Sequence, residues 1–126
     1  MRDGFRGLVV WQLAREYKRE VYALASRPPA CLDRPFADHL RRTAASIELN
    51  IVEGYHRGTS REFARYLTIA RASLAEADAQ LEDGIDRGHY QPADLARTHI
   101  LARRAVPAIM ALRRSLLRSA NREPRS

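Results

Sequence analysis

The chain has 126 residues, 45% of them hydrophobic and 29% charged, with a formal net charge of +7; this is the size of a single domain, and it is too apolar for a disordered one. No stretch approaches the ~20 unbroken apolar residues of a membrane-spanning helix, Met1 to Gly7 leads into no signal-peptide core, and the lone Cys31 excludes an internal disulfide and fits a reducing cytoplasm. The positive charge admits a polyanionic partner, although 21 arginines beside one lysine, Lys18, fit a genomic composition bias equally well.

In the first segment, Leu8 to Ala25, Val10, Ala14, Tyr17, Val21 and Leu24 recur at alternating steps of four and three. That spacing keeps one face of an α-helix apolar and is the spacing of bundle seams. Pro28 and Pro29 end the helix, because neither offers the amide donor it needs.

The second segment opens near Asp33-Arg34-Pro35, where Pro35 suits a first-turn position. Its apolar line is Leu40, Ala44, Ile47, Ile51 and Gly54. Thr59-Ser60-Arg61-Glu62 then reads as a capping box, with Thr59 accepting from the Glu62 amide while Glu62 reaches back. The third and longest helix follows, with Phe63, Leu67, Ala70, Leu74, Ala77, Leu81 and Ile85 on one face and Gly88 as its stop.

Gln91-Pro92-Ala93-Asp94 begins a fourth helix expected to run to about Ser119. At ~100° per residue, Leu101, Ala105, Ile109, Leu112 and Leu116 share one side, and Arg97, Arg103, Arg104, Arg114 and Arg118 gather on the other. Pro107 should kink this helix or remove a hydrogen bond from it. Four amphipathic helices with short joints predict an all-α, antiparallel up-and-down four-helix bundle. The bundle occupies residues 1–120 as one domain, and residues 121–126 form a polar, frayed tail.

Several of these stretches resemble a known family. Val9-Val10-Trp11-Gln12-Leu13-Ala14 with Val21-Tyr22-Ala23-Leu24 look like the first helix of the four-helix bundle proteins encoded by 23S rRNA intervening sequences. Leu40-Arg41-Arg42-Thr43-Ala44-Ala45-Ser46-Ile47 with Asn50-Ile51-Val52-Glu53-Gly54 resembles that family's most recognisable motif. Phe63, Tyr66-Leu67, Ile69-Ala70, Ser73-Leu74, Glu76 and Gln80-Leu81 fit its third helix. The resemblance spans roughly residues 7–91.

It implies a bundle that assembles into rings, typically homopentamers, with no enzymatic activity attached. It also implies a likeness of fold to the accessory variability protein of diversity-generating retroelements, a basic pentamer that binds nucleic acid and a reverse transcriptase. This chain departs from the family pattern at Glu48, where a proline is usual, in the Pro-rich first joint, which lacks the usual Phe-Pro pair, and at Pro107.

Catalytic chemistry finds no support in the residues. Ser46 and Ser73 lack a histidine on the same face, and Cys31 lacks a nearby base. No glycine loop cradles a phosphate, and no cofactor is expected. Glu53-x-x-His56 and Asp86-x-x-His89 each repeat half of a di-iron bundle pattern. They end different helices, however, which an antiparallel order places at opposite poles about 40 Å apart, so no metal site is expected.

Two sets of residues remain as candidates. On helix two, Arg42, Ser46, Asn50 and Glu53, with His39, lie within about 80° of one another beside the apolar line. Helix three offers a matching shoulder of Tyr66, Ile69, Ser73, Glu76 and Gln80. We expect these to fix helix register or a subunit interface, with Arg42 paired to a carboxylate such as Glu76; a solvated face is the plainer alternative. The second set comprises Arg57, Arg61 and Arg65 together with Arg97, Arg103, Arg104, Arg114 and Arg118. These could meet phosphates, Arg61 and Arg65 being one turn apart, or serve only as solubilising charge. Trp11 and Tyr22 are read as packing anchors rather than base-stacking groups. The expected protein is therefore a cytoplasmic, non-enzymatic homo-oligomer that binds RNA or DNA. A scaffold for a protein partner is the alternative.

Overall fold

A computed structural model describes residues 4–122, so the readings made for residues 1–3 and 123–126 lie outside it. Four helices follow in order: α1 (Val9–Ala25), α2 (Arg34–Tyr55), α3 (Ser60–Asp86) and α4 (Ala96–Arg122). Short 3-10 turns at Gly4–Gly7, Ala30–Leu32 and Pro92–Leu95 precede α1, α2 and α4. Consecutive helices pack against one another and α4 closes back onto α1, which is the predicted antiparallel up-and-down bundle. No strand occurs among the described residues.

The apolar stripes meet in one seam. Val21, Leu40, Ala44, Ile47, Ile51, Leu67, Ala70, Leu81, Leu101, Ala105 and Ile109 are fully buried there. Each large aliphatic side chain of this kind contributes ~1.5–3 kcal/mol on removal from water.

The boundaries differ from the expected ones where backbone satisfaction decides them. Residues Pro92–Leu95 form a separate 3-10 turn closed by a Gln91/Asp94 capping box, so α4 starts at Ala96 and not at Gln91. At its other end α4 extends through Asn121 and Arg122, residues expected in the tail. At the start of α3, Thr59 accepts from the Glu62 amide at 3.1 Å, but the Glu62 carboxylate accepts from Arg65 Nε at 2.8 Å. Helix α4 continues through Pro107, whose side chain is exposed; the Arg103 carbonyl forgoes the amide that proline lacks.

Two helical glycines set the closeness of the packing. A β-carbon on Gly54 would come within 2.6 Å of Tyr66 Cβ, and one on Gly84 within 2.6 Å of the Tyr90 ring. Tyr90 itself is buried, and its hydroxyl donates to the Leu24 carbonyl at 2.8 Å. It thereby bolts the α3–α4 joint to the end of α1, and burial pushes its pKa up to about 12.

Two polar pairs tie the helices together inside the bundle, while the buried Trp11 indole nitrogen has no hydrogen-bond partner among the described residues. The fully buried Tyr17 of α1 donates its hydroxyl to Asp78 of α3, across the bundle's diagonal. Burial raises the Asp78 carboxyl above its ordinary range, with the Tyr17 hydrogen bond opposing that rise. Between α1 and α2, Lys18 Nζ lies 2.6 Å from Glu48 Oε2, with both side chains largely covered. Glu48, one of the departures from the family pattern, thus holds the chain's single lysine.

Ala at position 54 should lower stability by ~1–3 kcal/mol through overpacking, despite the ~1 kcal/mol that alanine gains over glycine in a helix; a urea midpoint that does not fall would remove the close-approach argument. The pH dependence follows from Asp78. Its folded pKa is raised, so the folded state keeps this proton to higher pH than the unfolded chain does, and its contribution to stability declines as pH rises above ~4. Asp78→Asn is neutral throughout and retains an acceptor for Tyr17. Denaturation across a pH series should therefore show a flatter profile for this variant than for the parent chain above that pH.

Candidate nucleic-acid interface

An apolar stripe turned inward leaves the guanidiniums only the outer surface and the shoulders between helices. Arg103, Arg104, Arg114 and Arg118 stand exposed on α4. None has a carboxylate partner among the described residues. Arg97 is different, since its guanidinium reaches Glu16 of α1 at 3.6 Å and helps close α4 onto α1.

Arg57, Arg61 and Arg65 gather at the α2–α3 joint. Arg57 donates to the Tyr66 hydroxyl at 2.6 Å and lies 3.8 Å from Glu53. The guanidiniums of Arg57 and Arg65 sit 5.1 and 4.8 Å from the Tyr66 ring centroid, close enough for cation–π attraction. Arg65 also holds the Glu62 carboxyl below its usual range through their hydrogen bond. Two of the three cations are therefore positioned by neighbours, and Arg61 is exposed without a carboxylate partner among the described residues.

The antiparallel register brings this joint beside the last turns of α4. Arg61 and Arg65 share a groove of about 300 Å³ with Arg113, a residue absent from the sequence-derived set. Arg113 Nε donates to Thr68 Oγ1 at 2.9 Å. The wheel places Arg113 about 80° from the centre of α4's apolar line, which marks a shoulder but cannot say which neighbour fills it. Arg114 and Arg118 lie on the same end of α4, while Arg97 lies at its start; the eight arginines do not form one surface.

The polar stripe also divides. Glu76 is met by Thr43 and not by Arg42: Thr43 Oγ1 lies 3.1 Å from Glu76 Oε2 and 3.0 Å from the His39 carbonyl, its one proton shared between them. Arg42 is exposed and has no ion-pair partner among the described residues, because it sits about 100° further round α2 than Thr43. Gln80 Nε2 lies 3.1 Å from His39 Nε2, a second link between α2 and α3. Ser46 and Asn50 instead bond to carbonyls of their own helix, Thr43 and Ser46, each at 2.7 Å. Glu53 turns to Arg57, Ser73 is half-buried, and Ile69 lines the groove shared with α4. Thr43, His39, Glu76 and Gln80 thus make polar side-chain links between α2 and α3.

The two histidine pairs separate as their helix ends do. His56 meets the Phe5 and Tyr55 rings at 5.9 and 5.0 Å between centroids. His89 lies against Phe36 at 5.0 Å and beside Asp33 at 2.9 Å. No group of three or more metal-ligating side chains occurs among the described residues. Trp11 is buried and packs on Phe5 at 5.4 Å, whereas Tyr22 is 36% exposed.

Because Thr43 supplies a polar link from α2 to Glu76 of α3, Thr43→Val should cost ~1 kcal/mol of folding stability, while Arg42→Ala should leave unfolding of the isolated chain within ~0.5 kcal/mol. Chemical denaturation of both variants separates the two roles. A loss of oligomer mass in Arg42→Ala with unchanged folding would assign that side chain to a contact between copies.

The family model described as 23S rRNA-intervening sequence protein matches residues 6–110. No curated protein matches the chain.

Proposed function

We propose that this chain, which belongs to the 23S rRNA-intervening sequence protein family, is a non-enzymatic, cytoplasmic homo-oligomer that binds structured RNA or DNA through its arginine-bearing outer faces. The supporting observation is the set of exposed guanidiniums without carboxylate partners: Arg61, Arg103, Arg104, Arg114 and Arg118. Surface arginines that merely solubilise a protein are commonly interspersed with acids, whereas these leave a net positive field for phosphates. Guanidinium suits the task further, since its planar fork matches two phosphate oxygens at once. Assembly as a ring, a pentamer by likeness to the family, would repeat each patch and raise avidity without any new contact.

A scaffold for a protein partner is the second reading. The 64% exposure of Leu49 on the outer side of α2 favours it, although the same side chain serves equally well in a contact between copies.

Fluorescence anisotropy against labelled duplex DNA and a structured rRNA fragment, with light scattering on the same sample, tests the proposal. Affinity should fall steeply with salt, and replacing Arg103, Arg114 and Arg118 by alanine should reduce the log–log slope by ~2–3. No binding at low salt by a well-formed oligomer would refute nucleic-acid binding and favour the scaffold.

A further inference from the structure

The groove between the first half of α3 and the last turns of α4 differs in kind from the exposed ridge of α4. Its rim carries three guanidiniums, Arg61, Arg65 and Arg113, and no carboxylate lines it. The remaining lining is chiefly apolar, supplied by Ala64, Ile69 and Leu117, and Ile69 stays 36% exposed. A duplex presents phosphates at its surface and keeps its bases stacked inside, so it has use for the rim but none for the apolar lining. A nucleotide freed from pairing offers both a phosphate and the flat face of a base.

We propose that this groove receives one unpaired nucleotide of a single-stranded nucleic acid, its phosphate held at the arginine rim and its base laid on the Ile69–Leu117 lining. The inference rests on the nucleic-acid reading above and narrows it to a site and a class of substrate. Charge complementarity selects the occupant. Arg113 commits only Nε, to Thr68, so its Nη nitrogens have no partner among the described residues and remain to grip a phosphate. Arg65 is oriented by Glu62 and by the Tyr66 ring. Arg61 supplies a cation with no carboxylate to displace. A volume of about 300 Å³ sits at the small end of ligand sites and limits the groove to one nucleotide rather than a run of stacked bases.

The test compares a labelled single-stranded oligoribonucleotide of mixed sequence with a duplex of the same sequence, each titrated over a salt series with the full chain. The parent protein should prefer the single strand. Arg61→Gln with Arg113→Gln should weaken single-strand binding about tenfold or more, reduce its salt slope by about 1.4, and affect the duplex less. Ile69→Ser should weaken the single strand several-fold with an unchanged slope, because it removes base contact and no charge. Circular dichroism and light scattering confirm that each variant keeps its fold and mass. If the groove variants bind the single strand as the parent does while the α4 ridge variant does not, the groove assignment is overturned and the general nucleic-acid reading stands. If the parent binds neither ligand at low salt, both fall.

Discussion

Each of the four helices carries a single apolar stripe, and burying all four in one seam is the constraint from which the other features follow. A stripe roughly a hundred degrees wide leaves most of each helix outside the core. Charged side chains then have two places to go, the open outer face or the shoulder where one helix meets the next. The outer face accepts unpaired arginines at little cost because water solvates them. Several shoulder charges meet a polar partner, as Lys18 finds in Glu48, Arg97 in Glu16 and Arg113 in Thr68. The distribution of guanidiniums is in this sense a by-product of the seam, and the unpaired cations are the ones the seam leaves outermost.

Within the seam, close approach and polar satisfaction set the register. Gly54 and Gly84 let aromatic side chains come nearer than any residue with a β-carbon would allow. Tyr17 then reaches Asp78 across the diagonal, and Tyr90 reaches the Leu24 carbonyl. These hydroxyls act as pins: each lies in a place where an unsatisfied hydroxyl costs more than the bond contributes. A helix sliding by one turn would break both. The groove on the α3–α4 shoulder inherits its shape from this register, because only one alignment sets Arg113 beside Thr68 and opposite Arg61.

The fold was legible because spacing alone carries it. The lines Val10-Ala14-Tyr17-Val21-Leu24 and Phe63-Leu67-Ala70-Leu74-Ala77-Leu81 are buried as their four-three rhythm requires. The site was legible only in part, and the reason is geometric. A helical wheel gives the angle of a side chain around its own axis but not the axial offset of the neighbouring helix. For Arg42 the angle alone decides: it lies about 160° from the centre of the α2 apolar line, whereas Thr43 lies about 60° from it and faces Glu76. For Arg113 the axial offset decides: its partners come from a helix whose register the α4 sequence does not encode. The Gln91/Asp94 box was hidden differently, since Gln is a weak capping signal and the Thr59-to-Glu62 pattern further upstream matches the rule better.

The ion pair between Lys18 and Glu48 has a consequence for how the surface can be modified. The chain's single ε-amine is engaged in that pair and largely covered, so acylating enzymes and amine-directed labels find no side-chain target on the exposed cationic faces. Those faces are guanidinium throughout, and a guanidinium does not lose its proton anywhere in the range where proteins remain folded. The guanidinium charge on those faces is accordingly constant: lysine acetylation cannot remove it, and ionic strength screens it.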